Sequence, residues 1–211
     1  MTEFNKLLNI AVILSIITII YNIIEGSVSV FFGWQDETLA LFGFGVDSFV
    51  EVISGTGIMH MIWRMRRTEV STKDKFERQA LRTTGVSFYI LSIGLVAGSS
   101  INIIQDVKPE TTFVGIVVSI ISILTMYILM FYKLKIGNKL KSDAIIADAK
   151  CTKTCFYLSI ILLTSSLLYE LFSVNYIDIA GSLGIAFFSF REGKEAFEKV
   201  KTNSPSYCCK G

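Results

Sequence analysis

The sequence predicts an all-α, polytopic membrane protein with six transmembrane helices and both termini in the cytoplasm. Three observations point there. Of the 211 residues, 52% are hydrophobic and only 18% are charged, whereas soluble domains carry about 25% charged residues. The charges fall between apolar runs of about 20 residues, the length that crosses a bilayer. Lys and Arg gather in alternate connections, as the positive-inside rule requires of cytoplasmic segments.

The spans follow in order. The first, residues 6–31, contains a long apolar run with no clear small-residue cleavage site, so it is expected to be retained and not removed as a signal peptide. The connection Gly33-Trp34-Gln35-Asp36-Glu37 is short, and the second span, 38–63, should form a hairpin with the first. A basic loop over 64–82 follows, with Arg64, Arg66, Arg67, Lys73, Lys75, Arg78 and Arg82. The third and fourth spans, 85–105 and 112–134, are again close enough in sequence to form a hairpin. Lys133, Lys135, Lys139 and Lys141 lead into the fifth span, 142–169. The sixth, 176–191, runs into REGKEAFEKVK (191–201), a polar helical extension with Arg191, Lys194, Lys199 and Lys201. The connections around Asp36 and Asp106 are short and poor in Lys and Arg, which puts them outside. The expected organisation is a six-helix transmembrane domain at 1–191 and a short cytoplasmic helical tail at 192–211. The residues left beyond that helix are too few for a second domain, which needs at least about 50. A multi-pass location in a cell membrane, plasma or inner, follows. A net charge of +2 without a basic, aromatic-interleaved surface gives no reason to expect nucleic acid as a partner.

Ionisable groups at mid-bilayer are costly, and each is a candidate functional residue. In the second span Asp47 and Glu51 stand four residues apart, so their carboxylates share one helix face. Like charges there repel, and a low dielectric strengthens the repulsion; a cation or a shared proton relieves it. Counted from Glu37, Asp47 lies about 15 Å into a core of about 30 Å. In the fifth span Cys151 and Cys155 repeat the four-residue spacing, and Cys151 lies about 13 Å in from Ser142. Two carboxylates and two thiols thus reach one depth from opposite sides, a donor set that suits a tetrahedral cation site. Packing, or a redox pair, would also account for the two thiols. The four cysteines form two local pairs, Cys151/Cys155 and Cys208/Cys209, so reduced thiols are expected instead of a disulfide framework. Lys150 and Lys153 lie off the cysteine face and can snorkel towards the cytoplasmic interface. Accessory candidates are Asp148, beside the thiols, His60 between Met59 and Met61, and the vicinal Cys208-Cys209, where a soft ion could first be captured.

Two motifs carry a family resemblance. VDSFVEVISG (46–55) resembles the second-span motif of the cation diffusion facilitators, where Asp or His is followed four residues later by Asp. SDAIIADAKCTKTC (142–155) resembles their fifth-span motif, where Ala-Asp precedes a His-x-x-x-Asp pair. Setting Ala147-Asp148 on that Ala-Asp places Cys151 on the family's His and Cys155 on its Asp. Ile24-Glu25-Gly26, the segment 176–182 (YIDIAGS) and Arg191-Glu192-Gly193 are also similar to the family. The resemblance covers nearly the whole chain and implies an exporter of divalent metal from the cytoplasm, exchanging it for protons and commonly a homodimer. Two departures stand out at the site: thiols replace His and Asp, and Glu51 replaces Asp. The family's C-terminal cytoplasmic domain has no counterpart, so a short form is expected.

The resulting expectation is a secondary transporter, not an enzyme, with Asp47, Glu51, Cys151 and Cys155 as its metal ligands. It has no prosthetic group; its partners are the transported divalent ion, protons and the lipid bilayer. Thiolate is the form that binds metal, so loading releases protons. Soft ligands favour Zn²⁺ first, and thiophilic ions such as Cd²⁺, with Fe²⁺ and Co²⁺ also compatible with the carboxylates. The alternatives are a membrane metal-binding regulator or scaffold that moves nothing, and a membrane thiol redox protein. Parallel Cβ vectors one turn apart on a helix argue against the redox alternative.

Overall fold

A computed structural model describes residues 3–36, 38–65, 75–106, 108–172, 174 and 176–201. Six helices account for nearly all of them: α1 (Glu3–Gln35), α2 (Leu39–Met65), α3 (Lys75–Gln105), α4 (Phe113–Leu140), α5 (Asp143–Phe172) and α6 (Tyr176–Lys201). No strand occurs among the described residues. The first five helices each contain a segment long and apolar enough to cross a membrane. α6 falls short because its second half, the REGKEAFEKVK stretch, is charged; that stretch continues the helix through Lys201, as expected.

Two expectations need correction. The basic loop expected over 64–82 is shorter, because α3 begins ten residues earlier than its apolar span and carries Arg78 and Arg82 on helix. Glu77 in that first turn is buried and accepts a hydrogen bond from Arg64 Nη1 of α2 at 2.7 Å, which anchors the extension. Arg66, Arg67 and Lys73 lie outside the described residues. The third and fourth spans, although joined by a short connection, do not pair. α3 packs along α6 and α4 along α5, while α1 and α2 form the hairpin expected of them. The α3–α6 seam is made by small residues and hydroxyls: Ser92 Oγ donates to the Ala186 carbonyl at 2.9 Å, and the Ser99 and Ser182 hydroxyls meet at 2.8 Å. Small and hydroxylated residues are what let helices approach closely in a bilayer, where apolar surface alone gives no preference for protein over lipid.

α2 is the central helix, packed against α1, α3, α5 and α6. Its approach to α1 depends on Gly45: a Cβ there would come 2.7 Å from the Val30 nitrogen and 2.8 Å from Ser29 Cβ. The outside of the bundle is apolar, and its inside carries many hydroxyls among the apolar side chains. Ser15, Ser29, Ser119, Ser122, Ser159 and Ser189 are buried, while Ile90, Ile93, Ile104 and Leu124 are exposed. Large exposed apolar area of this kind marks a surface meant for something other than water.

Two apolar clusters define the ends. Leu8, Ile58, Leu81, Ile145 and Val200 pack together at the end that holds both ends of the described chain, and Leu41, Phe44, Leu95, Leu162 and Ile185 form the other. At that second end, carboxylates from neighbouring helices cap two N-termini, whose first N–H groups have no partner within their own helix. Asp178 of α6 accepts from Leu39 N at 3.0 Å and Ala40 N at 3.3 Å, and Glu170 of α5 accepts from Thr112 N at 2.7 Å. At the first end, Lys141 turns α4 into α5 with a left-handed φ of 48°, and Ser142 N donates to the Gly137 carbonyl at 3.0 Å.

Candidate metal site

Asp47 and Glu51 stand on successive turns of α2, and both line a cavity of about 50 Å³ between α1, α2, α3, α5 and α6. This is room for a few waters or a partly dehydrated cation. Cys151, Cys155 and Asp148 of α5 line the same cavity. The depth matching expected between the two spans is therefore present. Other lining residues, Ile58, Leu81 and Lys199 among them, belong to the end that carries the basic segments, so the cavity lies towards that end.

The closest approach across it joins α5 to α2. Cys155 Sγ lies 2.6 Å from each carboxylate oxygen of Glu51. A thiolate and a carboxylate cannot both be bare anions at that separation, so a proton or a cation must lie between them. Asn22 Nδ2 of α1 donates to Glu51 Oε2 at 3.1 Å, and Ser189 Oγ of α6 donates to Asp47 Oδ1 at 3.4 Å. The two carboxylates thus take separate partners. For that reason the closed four-ligand shell expected from the sequence is not seen as such. Among the described residues no three His, Cys, Asp or Glu side chains come close enough to hold one cation in common. The four candidates surround the cavity without converging on a point.

The expectation of reduced thiols holds for Cys155, which is free and buried, but not for Cys151, which is disulfide-bonded. A disulfide sulfur has no anionic charge to offer a cation, so Cys151 is a ligand only when reduced.

The accessory candidates go different ways. Asp148 is at the cavity wall, but Lys133 Nζ of α4 holds its Oδ1 at 3.0 Å. Lys133 is itself buried, a correction to its place in the cytoplasmic basic cluster: its stem is drawn inward by Asp148 one helix away. His60 is not brought to the cavity; its Nδ1 lies 3.6 Å from Glu77 and its ring 4.8 Å from that of Phe76. Lys153 covers the Tyr157 ring at 5.5 Å. Cys208 and Cys209 lie outside the described residues. Asn22 and Ser189 were not expected at the site, and Glu192 was marked only through the family-like Arg191-Glu192-Gly193; it lines the cavity and accepts from Thr154 Oγ1 at 3.2 Å. An Asn deep in the apolar first span was the signal available.

The profile of the cation efflux transmembrane domain matches residues 11–200, from within α1 to the end of α6. The chain belongs to the cation efflux family. Membership covers nearly the whole chain and bears out the resemblance carried by the second- and fifth-span motifs. The cation efflux fold implies metal cations as substrates and a multi-pass position in a membrane, in keeping with five apolar helices. Comparison with curated proteins found no match.

Proposed function

We propose that this cation efflux protein exports a divalent transition-metal ion from the cytoplasm in exchange for protons. Zn²⁺ is the leading cargo, with thiophilic ions such as Cd²⁺ next and Fe²⁺ or Co²⁺ compatible. The observation that carries the proposal is the single cavity lined by Asp47, Glu51, Cys151 and Cys155. α6 serves as the sixth span, both termini are cytoplasmic, and the cavity opens towards the cytoplasm because it lies at the end of the basic segments. The cargo draws the ligands inward: the proton between Cys155 and Glu51 leaves, and thiolate and carboxylate turn to the ion. On the outward side, proton return to the same groups releases it.

The test is Zn²⁺ uptake into proteoliposomes under a pH gradient. Asp47→Ala and Cys155→Ala should each abolish flux while insertion and helix content stay as in the unaltered protein. Unchanged flux in both variants would rule the site out. Tight Zn²⁺ binding by the unaltered protein with no flux would favour a regulator or scaffold.

A further inference from the structure

Lys133 stands out among the charged residues of the chain. Its side chain is almost completely buried, with Nζ 3.0 Å from Asp148 Oδ1 and 3.0 Å from Thr152 Oγ1. Ser15 of α1 approaches the other oxygen, Oδ2, at 3.5 Å. Asp148 precedes Cys151 by three residues, and Asp148 and Thr152 both line the cavity. An ammonium held this far from water carries a desolvation cost that only a close, well-bonded anion offsets. The same reach along α4 would let the long Lys stem place its charge in water.

We propose that Lys133 is a tethered counter-ion that withholds Asp148 from the cargo, and so sets the preference of the cavity for ions that bind thiolate. The inference rests on the transport site proposed above and adds a specificity-determining residue to it. With Asp148 engaged by Lys133, the wall offers Asp47, Glu51 and Glu192 as oxygen donors beside the Cys155 thiol. Freed of Lys133, Asp148 would add a carboxylate one turn from Cys151, and a further hard oxygen ligand favours ions such as Mn²⁺ over softer ones. If the pair merely pinned α4 to α5, its replacement by neutral residues would alter stability and not the choice of ion.

The experiment compares Lys133→Met, Lys133→Arg and the double variant Lys133→Met with Asp148→Asn. Mn²⁺ and Zn²⁺ uptake are measured in the same proteoliposomes, and binding of each ion in detergent, where no transport is needed. Lys133→Met should raise the Mn²⁺-to-Zn²⁺ ratio about tenfold through the added oxygen ligand. Lys133→Arg and the double variant should keep the original ratio. A Lys133→Met ratio equal to the original, or an equal rise in the double variant, overturns the inference. If Lys133→Met does not fold, Lys133→Gln takes its place: a raised Mn²⁺-to-Zn²⁺ ratio that the double variant lacks supports withholding, and an unmoved ratio, or a loss of Zn²⁺ binding in the double variant, overturns it. Zn²⁺ binding without flux in the unaltered protein would remove the export proposal alone, and the binding ratios would still decide the role of Lys133.

Discussion

Cys155 and Glu51 meet because two helices running in opposite directions bring their fourth-residue spacings to one level. The Cys155 thiol, joined by Cys151 when that is reduced, stands in place of carboxylate and imidazole and should tilt selectivity towards soft ions. The double change Cys151→His with Cys155→Asp should lower Cd²⁺ relative to Zn²⁺ in competitive vesicle uptake by roughly tenfold, about 1.4 kcal/mol of differential binding. Zn²⁺ accepts sulfur, nitrogen and oxygen and should be retained. An unmoved ratio would mean the thiols are packing. The carboxylate pair and the thiol pair were legible because helical periodicity alone sets a four-residue spacing on one face. The side chains that hold them were not. Asn22 reaches Glu51 across 29 positions and Ser189 reaches Asp47 across 142, and no local pattern encodes such contacts. Lys133 misled for the same reason: a lysine at the end of an apolar run reads as cytoplasmic until its partner on the next helix is seen.

Hydropathy located the first five helices, because bilayer thickness sets a minimum apolar length; α6, expected from residue 176, is a helix that falls short of it. Hydropathy failed at the helix ends. α1 has 33 residues, about 50 Å of helix against a core of about 30 Å, and α3 adds a polar first turn and more that apolar content cannot reveal. Pairing was also hidden: short connections favoured α3 beside α4, but small residues and serines put α3 on α6. Gly45 shows how a helix seam governs the site two residues away. Gly45→Val would drive side-chain atoms into the Val30 backbone, with an overpacking cost of about 1–3 kcal/mol. Thermal unfolding in detergent should occur at lower temperature, and Zn²⁺ flux should fall because Asp47 is displaced with the helix. A variant as stable as the original would show that α1 can move aside.

At the scale of the molecule, both ends of the described chain meet in the apolar cluster of Leu8 and Val200. Together with the basic segments at that end, this predicts that tags fused to the two termini are both protected in right-side-out vesicles and both cleaved in inverted ones. Opposite behaviour of the two tags would mean α6 does not cross. The same end-to-end arrangement gives the contact between Cys155 and Glu51 a wider meaning. It ties α5 to α2 and, on the proposed transport site, is also the place the ion would take, so closure and occupancy would compete for one spot. On the proposed exchange, a carrier built this way has no short circuit: neither a proton nor a metal ion would slip across alone, because the departure of one makes room for the arrival of the other.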